Sequence, residues 1–197
     1  MFTGRRTLNP NGNPKILLAA VGPLMTEVAG EAADGLLVHA FSTERYVREA
    51  TLPALARGAA KAGRSFDGFE ITAPGMVVAR DTEEEIAEGV QFVKQQIAFY
   101  GSTPAYRPVR ELHGWGALQG ELTARTQRGE WDNASLIDDE MVDALAVVGT
   151  PEEAIAEVKR RYGDVCTRIT LQLPEGADTE RWGALFDELR GATADAL

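Results

Sequence analysis

Lys15-Ile16-Leu17-Leu18-Ala19-Ala20-Val21-Gly22-Pro23 is the stretch on which the fold turns. Ile16 to Val21 is an unbroken apolar run, the mark of a short strand buried on both faces. Gly22-Pro23 stops it. Pro23 suits the first position of a helix, where its missing N–H leaves no bond unmade. Met25, Val28, Ala29, Ala32 and Ala33 follow at helical spacing, and Gly35 stands where a C-cap belongs. A second apolar run, Leu36-Leu37-Val38-His39-Ala40, begins directly afterwards. Strand, helix and strand in this order, without a hairpin signal, describe a parallel βαβ unit.

The rhythm continues outward. Ser42 and Thr43 are N-cap candidates for a helix running to about Ala62, bent or split at Pro53. Phe69–Ala73 and Met76–Ala79 form a third strand region, interrupted by Pro74-Gly75. Asp81-Thr82-Glu83-Glu84-Glu85 opens a helix reaching about Tyr100, with acidic residues in its first turn as the macrodipole favours. Thr150, Pro151 and Glu153 read as N-cap, N1 and capping-box partner of a helix ending near Tyr162. Val165–Leu173 reads as a fourth strand. Asp178 or Thr179 caps a last helix ending near Gly191. Residues 1–14 are rich in turn formers and read as a loop. Residues 101–135 lack periodicity, contain Pro104, Pro108, Trp115 and Trp131, and read as a long loop or lid. The fold class is therefore α/β with about four parallel βα units in one domain. It is either part of a TIM-type (β/α)8 barrel or an open doubly wound sheet.

Composition narrows the function. The 197 residues carry 30 acidic and 20 basic side chains, a net charge of −10. A phosphate-backbone partner calls for the opposite balance, so nucleic acid is excluded as a first expectation. One cysteine, Cys166, and two histidines, His39 and His113, leave no basis for a disulfide, a cysteine zinc cluster or a histidine-rich metal site. No segment has the roughly 7–15-residue apolar core of a signal peptide or the roughly 20 residues of a membrane helix. The expectation is a cytoplasmic chain with no membrane partner.

Four features bear on chemistry. The helix after Gly22 has no Ser, Thr, Asp or Asn at its N-cap, so several N–H groups lack a side-chain acceptor. A phosphate fills such a vacancy, and so does water. The single glycine there is neither a dinucleotide fingerprint nor a Walker A loop. His39 lies at the C-terminal end of the second strand, where parallel α/β folds place ligand-facing groups; a backbone carbonyl partner is the plainer reading. Arg107, Arg110, Arg125 and Arg128 concentrate positive charge that either clamps an anion or is simply solvated. Cys166 reads as buried packing on its strand. No nucleophile elbow or Ser-His-Asp arrangement is present, and no catalytic residue is assigned.

Taken together, several segments resemble the luciferase-like monooxygenase superfamily, most closely the branch using the deazaflavin coenzyme F420. They are Lys15–Pro23, Ala29–His39, Thr43-Glu44-Arg45-Tyr46 leading into Leu52-Pro53-Ala54-Leu55, and Val148–Ala154. The resemblance spans most of residues 14–190 and corresponds to the C-terminal half of that family. It implies a (β/α)8 barrel binding coenzyme F420 or FMN at the C-terminal strand ends, with hydride transfer or monooxygenation of a small organic substrate. The turn matching Ala20, Val21, Gly22 and Met25 would lie against the cofactor's phosphate-bearing tail. His39, Ala40 and Phe41 would lie near the ring or the substrate. Four βα units leave two sheet edges and one core face uncovered, so a homo-oligomer is expected. The competing function is a non-catalytic half-barrel that serves as a binding or assembly module.

Overall fold

The computed structural model describes residues 13–130, 132–173 and 176–194. The expected loop over residues 1–14 falls almost wholly outside the described residues, as does Trp131. Among the described residues, five short strands are all parallel. β1 (Leu17–Ala20), β2 (Gly35–Val38) and β3 (Glu70–Thr72) form one sheet in that order, and β4 (Val77–Ala79) pairs with β5 (Val147–Gly149) in a second. Pro74-Gly75 separates β3 from β4, so the third strand region is divided between the two sheets.

Side chains alternate across the first sheet as strand geometry requires. Ala20, Leu36, Val38 and Ile71 face a core shared with Ala29 and Leu55 of the helices. On the opposite face, the register partners Ala19 and Leu37 are exposed. β1 is an edge strand covered on one side only, so its expected burial on both faces does not hold.

α1 (Pro23–Ala32) starts at Gly22 with Pro23 in its first turn. Its buried face carries Thr26, Ala29 and Gly30, whereas Met25 and Val28 point to solvent. Small residues, not the larger apolar ones, meet α3 (Leu52–Ala62). A Cβ on Gly30 would overlap the Leu55 carbonyl, and one on Gly58 would overlap the Glu27 carbonyl. The helix ends on Ala33 with extended backbone, and Gly35 opens β2 instead of capping α1.

Thr43 caps α2 (Glu44–Tyr46), accepting the Tyr46 N–H at 3.0 Å. A π-helical turn over Val47–Thr51 then joins α2 to α3, with the Leu52 N–H reaching back to the Val47 carbonyl. The widened turn accommodates Pro53, which has no N–H to give and whose ring crowds the carbonyl four residues back. α4 (Glu83–Ser102) begins with a complete capping box between Thr82 and Glu85.

Residues 101–135, expected to be irregular, are mostly helical. Pro104–Tyr106 forms a 3-10 turn, α5 spans Arg107–His113, Trp115–Ala117 forms a second 3-10 turn, and α6 spans Leu118–Gln127. Pro108 sits in the first turn of α5 and Gly114 caps it with φ 76°. The residues that resembled loop formers are the punctuation of short helices. α7 (Asp139–Leu145) leads into β5, and α8 (Pro151–Tyr162) opens with the expected box between Thr150 and Glu153.

Val165–Leu173 is not a strand. It runs beside β3 through one bridge, Thr72 to Arg168, because the Thr167 hydroxyl takes the Ile71 N–H in place of a main-chain carbonyl. α9 (Thr179–Ala194) follows, with Asp178 accepting the N–H groups of Glu180 and Arg181. Among the described residues, no helix is long and apolar enough to cross a membrane.

Candidate functional site

The C-terminal ends of β1 and β2 lie side by side, since Ala20 is the register partner of Val38 and the next residues are Val21 and His39. At the end of β1, Gly22 has φ −78° and ψ 156°, and no side chain caps α1. The Gly22 carbonyl accepts both the N–H and the hydroxyl of Thr26, at 3.1 and 3.0 Å. Pro23 has no N–H, and no described side chain accepts those of Leu24 or Met25. An added Cβ on Gly22 would meet nothing within 4 Å. The turn is therefore open on its outer side and carries free donors at the positive end of the α1 dipole.

The turn is held from behind. The Tyr46 hydroxyl donates to the Val21 carbonyl at 3.0 Å, and the Tyr46 side chain is buried. Burial pushes its phenol up, so it remains a donor. Ala20 is packed on the core side, and the exposed Met25 stands in the first turn of α1.

At the end of β2, half-buried His39 accepts the Phe41 N–H on Nδ1 at 3.0 Å. Its Nε2 is 3.1 Å from the Tyr106 hydroxyl. The imidazole stacks on Tyr106, with ring centroids 4.7 Å apart, and meets Tyr100 edge-on at 4.9 Å. The partner of the ring is thus a main-chain amide, not the carbonyl of the plainer expectation. Phe41 is 1% exposed and packs under the two tyrosines, so it supports the ledge from the core.

His113 lies against the same junction. Its Nε2 is 2.7 Å from the Thr43 hydroxyl, and its ring stacks on Trp115 at 4.3 Å. Arg45 adds a bond to the Leu112 carbonyl at 3.0 Å. Both histidines of the chain therefore join residues 39–43 to the arm formed by residues 104–117. The sequence places His39 at the end of β2, as found, but does not supply Tyr46, Tyr100, Tyr106 or His113. Only the short apolar run Leu36–Ala40 and the following N-cap mark this region in the sequence.

Burial draws the His39 pKa below its ordinary value; burial, then Arg45, does the same for His113, against opposing pulls from Glu140 and Glu49. The unfolded chain therefore takes up protons first as pH falls below about 6.5, and stability drops until the folded-state pKa values are passed. We expect the melting temperature to fall between pH 7 and pH 5. A His39→Gln/His113→Gln double variant should show a shallower fall, by calorimetry across that range. Equal slopes for the two proteins would contradict the assignment.

The arginine cluster does not form an anion clamp. Arg107, Arg125 and Arg128 pair with Glu111, Glu121 and Glu130. Arg110 is buried and donates to the Gly101 and Thr103 carbonyls at the end of α4, at 2.6 and 3.1 Å. Among the described residues, no group of three or more His, Cys, Asp or Glu side chains is placed to hold a metal ion. A cavity of about 500 Å³ lies elsewhere, between α8, α9 and residues 163–171, and includes Cys166. Burial pushes that thiol up to about 12, consistent with packing and not with nucleophilic use.

The chain is similar to known proteins over most of its length. The chain is 45% identical over 178 residues to an uncharacterised protein of Mycobacterium tuberculosis, covering 90% of this chain and 52% of that one. It is 29% identical over 166 residues to a 5,10-methylenetetrahydromethanopterin reductase of Methanopyrus kandleri, covering 83% and 46%. The solved coenzyme F420 dependent tetrahydromethanopterin reductase of that organism superposes with a TM-score of 0.66 at 26% identity, over 87% of this chain and 48% of its own. The chain thus spans about half the length of the curated relatives it matches, and its sheets and helices are part of an α/β barrel. The pattern of the luciferase-like monooxygenases matches residues 2–168, and the chain belongs to that family.

Proposed function

We propose that this chain supplies the phosphate-holding part of an oxidoreductase that uses coenzyme F420 or FMN on a small organic substrate. One observation carries the reading. The α1 N-terminus at the end of β1 is uncapped, sterically open at Gly22 and pinned by Tyr46, which suits a phosphate group. The residues present fit such a group. The free N–H groups of Leu24 and Met25 would hold it at the open Val21-Gly22 turn, and His39 and Ala40 would border the ring or the substrate. When bound, the cofactor supplies the hydride-transfer or oxygenation chemistry, and the chain's part is to bind, orient and exclude water. Fluorescence titration with coenzyme F420 and FMN in parallel tests this. Saturable micromolar binding of one of them is expected, with inorganic phosphate competing. No binding of either contradicts it.

A second reading, a non-catalytic half-barrel assembly module, is favoured by the surface beside β1. β1 is an edge strand with unpaired main-chain groups, α1 beside it exposes Leu24 (79% exposed), Met25 and Val28, and the uncovered face of the sheet exposes Leu37, an apolar margin on both sides of the edge. Such a margin attracts a further strand, and a second copy of this chain is the proposed occupant. Light scattering at micromolar concentration should give twice the monomer mass, reduced by Leu24→Lys/Val28→Lys. A monodisperse monomer overturns self-association.

A further inference from the structure

The proton positions around His39 follow from one contact. The Phe41 main-chain amide can only donate, so Nδ1, which receives it at 3.0 Å, carries no proton. The neutral imidazole then keeps its proton on Nε2. Nε2 lies 3.1 Å from the Tyr106 oxygen, so the histidine donates and the tyrosine accepts. The Tyr106 hydroxyl proton is thereby turned away from His39. Among the described residues, nothing accepts it.

The phenol is also fixed in place. His39 stacks on it, Tyr100 meets it edge-on at 5.5 Å, and Phe41 packs against it at 5.4 Å. The arm that carries it is tied down by the His113–Thr43 and Arg45–Leu112 contacts. Tyr106 is half-buried, beside His39 at the end of β2. We propose that Tyr106 is a positioned hydrogen-bond donor, aimed by His39 at an acceptor oxygen or nitrogen of the ligand bound over the C-terminal ends of β1 and β2. The inference rests on the reading that a ligand binds there. It assigns the donor for that ligand to a residue outside the strands. Burial, with Tyr100 adding to it, raises the Tyr106 pKa, which keeps the hydroxyl protonated as a donor instead of a base.

Two measurements on the intact chain test it. Nitrogen-15 NMR of His39 should show the proton on Nε2 and a bare Nδ1. In titrations with FMN and with coenzyme F420, Tyr106→Phe and His39→Leu should each weaken binding about 5–10-fold, the value of one hydrogen bond. His39→Gln, which keeps an N–H donor, should stay within about 2-fold of the wild type, a rescue that a merely structural role does not give. A proton found on Nδ1, or unchanged affinity in Tyr106→Phe, overturns the proposal. A proton on Nε2 in a chain that binds neither cofactor supports the donor geometry and removes only the cofactor reading.

Discussion

Gly58→Ala is expected to lower stability by about 2 kcal/mol, although alanine is the better helix former. An alanine at an open helical site gains about 1 kcal/mol over glycine. At Gly58 the new methyl group would overlap the Glu27 carbonyl of α1, a main-chain atom that cannot rotate aside. Separating two packed helices costs about 3 kcal/mol, and the difference sets the net loss. For a chain of this size that corresponds to a melting temperature lower by about 4–8 °C. Gly58→Leu should exceed about 4 kcal/mol and prevent folding at moderate temperature. Gly120→Ala provides the control, because Gly120 lies in α6 with open space around it and should gain stability. If Gly58→Ala is as stabilising as Gly120→Ala, the close approach of α1 and α3 is wrong. The same contact matters for function, since α3 follows the β2 end and α1 presents the open turn.

The second large effect is on binding and has the opposite sign for stability. Gly22 has extended backbone suited to an N-cap, and its outer side is empty. An aspartate there accepts the free N–H groups of the first turn and adds a favourable charge at the helix start, raising stability by a few tenths of a kcal/mol. The same carboxylate occupies the donors a phosphate would use and repels it. Loss of charged hydrogen bonds and added repulsion together come to about 2 kcal/mol, roughly 30-fold in affinity. A variant that merely misfolds loses both stability and binding, so opposite signs identify a direct effect.

The legible parts of the fold were those set by neighbours in sequence. Thr150 and Glu153 form their capping box as read, because both partners lie within one turn. β1 and β2 were marked by short apolar runs between helix signals. β5 was missed because three residues directly after α7 leave too short a run to separate from the helix that follows. Helical spacing puts Met25 and Val28 on the packed face, but α1 meets α3 through Ala29 and Gly30, where backbone proximity selects small residues over large ones. In the site, the open turn at Gly22 was visible as a missing cap. Its support was not, since Tyr46 is 25 residues from Val21 and Tyr106 is 67 from His39. Those pairings arise only once the sheet and the helical arm are assembled.

The most direct test of a phosphate-bearing cofactor at the β1 end is a paired titration of the wild type and Gly22→Asp with coenzyme F420 and with FMN, alongside thermal melts of both proteins. The expected result is saturable binding by the wild type, weakened roughly 30-fold in a variant that melts no lower. Equal affinity in the two proteins, or no affinity in the wild type, would contradict a cofactor phosphate held at Gly22.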